Sequence, residues 1–213
     1  MWGRIYPLAT LLILANIILK ASCKGSGSLT FVIDDTSSMT DDIAQVKTSV
    51  DRISDIVFNE KASQIGNMVL VTFNDPEATV KTVTTNRQTF KRTLNAVYPS
   101  ININNKDCWE PSMKGLRLAL ETSNRDSYVY VFTDAPAKDF RDSHYVTQLC
   151  QKKQSKIVFV LTGRCAKYHY IAASFDVYFD IAHACSGQAF DVERSQVKEV
   201  LRTIEETIKG NKT

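Results

Sequence analysis

Stretches that are apolar at most successive positions alternate along this chain with stretches whose apolar residues return every three or four positions. Residues 29–34 (LTFVID), 67–74 (NMVLVTFN), 127–134 (SYVYVFTD) and 156–163 (KIVFVLTG) are of the first kind and predict strands buried on both faces. Residues 39–58 are of the second kind. Ile43, Val46, Val50, Ile53 and Val57 form one apolar stripe, Ser38 stands where a helix N-cap belongs, and Asp41 and Asp42 suit a first turn. Further helices are expected at 86–98, 111–122, 143–153, 170–184 and 197–208. Residues 78–84 (ATVKTVT) alternate and predict an edge strand, and 188–192 (QAFDV) a last strand.

This order predicts an α/β fold of three layers, a mostly parallel sheet with helices on both faces. Ligands of such sheets bind beyond the carboxyl ends of the strands. Two acids stand at such ends, Asp34 and Asp134. Thr36 and Ser38 follow the first at alternate positions, so that a turn can aim one carboxylate and two hydroxyls at one point. Asp107, in the polar segment NNKDCWE before a predicted helix, could reach the same rim. Oxygen donors of this kind suit Mg²⁺, with Mn²⁺ or Ca²⁺ as alternatives, rather than zinc.

The first 23 residues stand apart from this pattern. Arg4 precedes an apolar run from Leu8 to Leu19, and Ala21-Ser22-Cys23 supplies small residues at a cleavage site. A secretory signal peptide is expected over 1–23, a short linker over 24–28, one domain over 29–208 and a tail over 209–213. Apolar residues make up 44% and charged residues 23%, ordinary for a globular domain. The formal charge of +3 includes Arg4 and Lys20, so without the leader 24 basic residues face 23 acidic ones, or +1. That balance argues against nucleic acid as a partner, and no second apolar run predicts membrane insertion. Cleavage after Cys23 leaves Cys108, Cys150, Cys165 and Cys185, an even set that predicts two disulfides in a secreted chain. Four cysteines allow three pairings. The rim positions of Cys108 and Cys165 favour joining those two, and Cys150 to Cys185. Asn211-Lys212-Thr213 fits a glycosylation acceptor.

The set Asp34-x-Thr36-x-Ser38 after an apolar strand, with Phe132-Thr133-Asp134-Ala135 downstream, resembles the von Willebrand factor type A domains. Phe73-Asn74-Asp75-Pro76-Glu77, Asp107-Cys108-x-Glu110, residues 158–163 (VFVLTG) and Ser186-Gly187-Gln188 are most similar to the N-terminal A-type domain of the hemicentins. The resemblance covers about residues 29–208. It implies a six-stranded Rossmann-like sheet with one antiparallel edge strand. It also implies a metal-ion-dependent adhesion site (MIDAS), with Asp34, Thr36, Ser38 and Asp134 as metal residues and Asp107 at the family's middle-loop position. The implied role is non-enzymatic: a secreted domain binds an extracellular protein whose acidic side chain completes the coordination. Ser37 and Asn104-Asn105-Lys106 stand where the family commonly has glycine. They motivate a second reading, a degenerate metal site with binding through a metal-free surface.

A third reading is enzymatic. The run DDTSSMT at 34–40 is similar to the nucleophile motif of haloacid-dehalogenase-like phosphohydrolases, with Asp34 attacking phosphorus. Asp35 and Thr36 replace that motif's Lys and the superfamily's second Asp, and the downstream acid pair has no counterpart. No phosphate loop, nucleophile elbow or H-E-x-x-H is present, and His144, His169 and His183 are not at ligand spacing.

Overall fold

Strand β1 (Gly27–Asp34) is buried at every one of its eight positions, as a strand in the middle of a helix-covered parallel sheet must be. The computed structural model describes residues 26–61, 64–100, 109–163 and 173–210. With β2 (Ile65–Asn74), β3 (Glu77–Thr84), β4 (Tyr128–Thr133), β5 (Lys156–Leu161) and β6 (Gln188–Asp191), β1 forms a six-stranded sheet in the order β3-β2-β1-β4-β5-β6. All neighbours run parallel except β2 and β3, which pair antiparallel across the short turn at Asp75 and Pro76. The partly exposed alternation of β3 is that of an edge strand.

Among the described residues, six α-helices accompany the sheet: α1 (Ile43–Lys61), α2 (Arg87–Asn95), α3 (Ser112–Thr122), α4 (Ser143–Lys153), α5 (Ala173–Ala184) and α6 (Val197–Gly210). They build two cores, one on each sheet face. On one face Leu29, Phe31 and Ile33 pack with the Val46, Val50, Ile53 and Val57 stripe of α1, Phe90 and Leu94 of α2, and Val200 and Ile204 of α6. On the other, Val32 and Val71 meet Leu116 and Leu120 of α3, Val146 of α4 and Ile181 of α5. Period two along the strands and 3.6 along the helices send these side chains inward.

One expected element begins differently. A 3-10 helix, Ser37–Asp41, precedes α1, and its cap position is taken by Thr36 without a side-chain capping bond. Ser38 is therefore not the N-cap that its spacing predicts, and its hydroxyl turns instead to Asp134. At α2 the cap is conventional: the Asn86 side chain accepts the Thr89 amide at 2.9 Å.

A disulfide joins Cys150, near the end of α4, to Cys185, just after α5, with Cα atoms 6.0 Å apart. The expected signal peptide, Asp107, the Cys108–Cys165 pair, His169 and Asn211 lie outside the described residues.

Candidate metal centre

Strand order decides where a site can form. The chain moves from β1 to β2 and β3 on one side, then returns to place β4 on the other side of β1. The switch opens a crevice between the carboxyl ends of β1 and β4. Asp34 ends β1, and Asp134 directly follows β4.

A continuous chain of hydrogen bonds links the two acids. The Asp34 Oδ1 atom accepts the Thr36 amide at 3.0 Å and the Thr36 hydroxyl at 2.6 Å. Thr36 Oγ1 lies 3.0 Å from Ser38 Oγ, which donates to Asp134 Oδ1 at 2.9 Å. The structure thus brings together four of the five residues that the sequence singles out. Asp35 adopts a different role. Its carbonyl accepts the Ser100 amide at 2.8 Å and pins the loop to the segment after α2, while its carboxylate lies 4.0 Å from Lys81 of β3. Burial raises the Asp35 pKa, with Thr72 and Lys81 opposing.

The site extends to residues that the spacing of acids and hydroxyls does not reveal. Thr133, the last residue of β4, donates to Asp34 Oδ2 at 2.7 Å and accepts the Ala135 amide at 3.1 Å. It fixes the rotation of the Asp34 carboxylate. Its place beside Asp134 at a strand end was the only signal. Gly163, just beyond β5, packs so closely that a Cβ there would lie 2.8 Å from both Cβ and the carbonyl oxygen of Asp134. The wholly buried Tyr178 of α5 donates to the Ala135 carbonyl at 2.9 Å and braces the segment that follows Asp134.

Asp34 is 0% exposed. Desolvation pushes its pKa up to about 7, and the nearby Asp134 carboxylate adds to the rise, while hydrogen bonds from Thr133 and Thr36 oppose it. A buried acid beside a second acid is electrostatically unfavourable, and either a proton or a bound cation relieves it. The donor set fits a hard divalent ion: two carboxylates and two hydroxyls within hydrogen-bond reach of one another, with no nitrogen or sulfur ligand. Among the described residues no three His, Cys, Asp or Glu cluster at metal-binding spacing. The rim set holds two acids, and its other donors are hydroxyls. His144 and His183 sit exposed on α4 and α5.

Comparison with known proteins agrees with this architecture. A family model, the von Willebrand factor A domain, matches residues 28–194. Hemicentin-1 of Mus musculus is 40% identical over 189 residues, which are 89% of this chain and 3% of that protein. Hemicentin-2 of Mus musculus is 38% identical over 188 residues, 88% of this chain and 4% of that protein. The chain thus spans a small fraction of these relatives. Among solved structures, proximal thread matrix protein 1 from the mussel byssus, with a zinc-occupied MIDAS motif, aligns with a TM-score of 0.64 at 18% identity. It covers 95% of this chain and 52% of that one.

Proposed function

The chain belongs to the von Willebrand factor A domain family, and from that premise we propose that it is a secreted adhesion-type protein that binds partners through a divalent cation. The hydrogen-bonded run Asp34–Thr36–Ser38–Asp134 is the observation that carries this reading. These four residues hold the ion, Asp107 is a further candidate, and Mg²⁺ is the expected species. The zinc-occupied motif of the byssus protein supports a divalent ion on this fold. When bound, the cation offers a Lewis-acidic coordination position to a carboxylate of the partner. The chain's own residues do the rest. Thr133 orients Asp34, Thr36 and Ser38 carry the oxygen set from the buried acid toward the surface, and Tyr178 braces the segment after Asp134.

The burial of Asp34 also bears on the phosphohydrolase reading. A nucleophilic carboxylate must reach phosphorus in line. Asp34 is wholly buried, and Asp35 and Thr36 stand where the phosphohydrolase motif has its Lys and second Asp. The expected leader, the Cys150–Cys185 disulfide and the hemicentin likeness together support an extracellular, matrix-type setting.

Isothermal titration of Mg²⁺, Mn²⁺ and Ca²⁺ into the leader-free protein, beside Asp34→Ala, tests the proposal. One saturable site, lost in a variant that keeps its circular dichroism spectrum, is expected. Absence of binding at millimolar ion would overturn the cation mechanism and favour a metal-free surface.

A further inference from the structure

Asp34 and Asp134 are brought together although their charges repel, so the segment that carries Asp134 must be held from outside. Tyr178 and Ser174 hold it from the α5 side, through the Ala135 carbonyl at 2.9 Å and the Ala137 amide at 2.8 Å. On the side of α3 the holding residue is Glu110. It is an acid, yet only 4% exposed. Its amide donates to the Pro136 carbonyl at 3.1 Å and its carbonyl accepts the Lys138 amide at 2.8 Å, so that Glu110 and Ala137 form an isolated parallel bridge. Its carboxylate Oε2 accepts the Asp75 amide at 3.0 Å. Lys138 Nζ then reaches Asp75 Oδ2 at 2.6 Å. These contacts close a ring from Glu110 to Asp75 to Lys138 and back to Glu110. Three segments meet in it: the β2–β3 turn, the approach to α3, and the run that follows Asp134.

Burying a carboxylate is costly unless hydrogen bonds compensate it, and this one is used on a turn amide beside the rim. Resting on the cation-site reading above, we infer that Glu110 is a positioning residue of that site. Its carboxylate anchors it to the β2–β3 turn at the Asp75 amide while its backbone holds residues 136–138, and together these contacts keep Asp134 within reach of Ser38 against the repulsion of Asp34. The acceptor oxygen is what matters, and a neutral isostere preserves it.

Glu110→Ala and Glu110→Gln, each titrated with Mn²⁺ beside wild type, test the inference. Outer-shell changes of this kind cost about tenfold or more in metal affinity, which is the loss expected for Glu110→Ala, whereas Glu110→Gln stays within about threefold of wild type. Amide exchange, measured without metal, should quicken at Asp75 and Lys138 in the alanine variant only. A folded Glu110→Ala with wild-type affinity overturns the inference, as does a glutamine variant that loses as much as alanine. Should Glu110→Ala fail to fold, Glu110→Asp draws the carboxylate back from the Asp75 amide, and unchanged Mn²⁺ affinity in that folded variant overturns it equally. Wild-type protein that binds no Mn²⁺ is a failure of the cation reading. The exchange comparison then decides the ring by itself, and unaltered protection at Asp75 and Lys138 overturns it.

Discussion

Asp34 is a wholly buried carboxylate at the end of β1, and its electrostatics make a signed prediction. Its folded pKa, pushed up to about 7, lies above the ordinary value of 3.8. Without metal, the folded state takes up a proton as pH falls through about 7, while the unfolded chain waits until about pH 4. The stability that goes with protonated Asp34 is therefore present in acid and lost as pH rises through 7, at up to about 1.4 kcal/mol per pH unit. Asp34→Asn keeps the shape and removes the charge. In chelator at pH 8 it should melt higher than wild type, with the difference narrowing below pH 7 and closing by about pH 4. Equal melting temperatures at pH 8 would show that the buried charge is compensated by something other than a metal. Divalent ion should erase the difference by stabilising wild type alone. Asp34, Thr36, Ser38 and Asp134 were legible in the sequence as a set, because alternate spacing after one strand and an acid at the end of another put oxygen donors on one rim of such a sheet. Thr133 was not, because a threonine at the end of a strand is common, and only its 2.7 Å contact with Asp34 distinguishes it.

Periodicity predicts the elements, and helix α4 at Ser143–Lys153 coincides with the expected range. The start of the first helix departs from it. Residues 37–41 wind as a 3-10 helix because the hydroxyl of Ser38 bonds to Asp134 rather than capping the helix. Local propensity favoured the cap, and tertiary contact took the side chain elsewhere. The C-terminal end of α3 shows the same logic working toward stability. Lys153 of α4 extends its ammonium to the carbonyls of Leu120, Glu121 and Ser123, at 2.5, 3.0 and 2.6 Å. It satisfies orphan carbonyls at the negative end of the helix dipole. Lys153→Met should cost about 1–2 kcal/mol in urea unfolding, through lost hydrogen bonds. Cation affinity should not change, since the contact lies at the far end of α3 from the rim. A loss below about 0.5 kcal/mol would show that water replaces the lysine adequately.

At the scale of the molecule, the disulfide and the site occupy opposite ends of the sheet. Cys150–Cys185 closes a separation of 35 residues near the start of β6, and a loop of that size contributes about 3–4 kcal/mol by restricting the unfolded chain. Replacing both cysteines by serine should lower stability by about that amount and leave Mg²⁺ affinity unchanged. A parallel loss of affinity would show that the far end of the sheet communicates with the rim. The sequence by itself determined the alternation of elements, the two-faced burial of the central strands and the motif at the end of β1. Each of these is written in residues a few positions apart, where backbone period and side-chain type act directly. Only the tertiary structure decided that β4 lies beside β1, which brings Ser38 to Asp134 across 96 residues and Thr133 to Asp34 across 99. It alone also closed Glu110, Asp75 and Lys138 into a ring. Such contacts depend on how the crossovers pack the whole chain, and no local period encodes them.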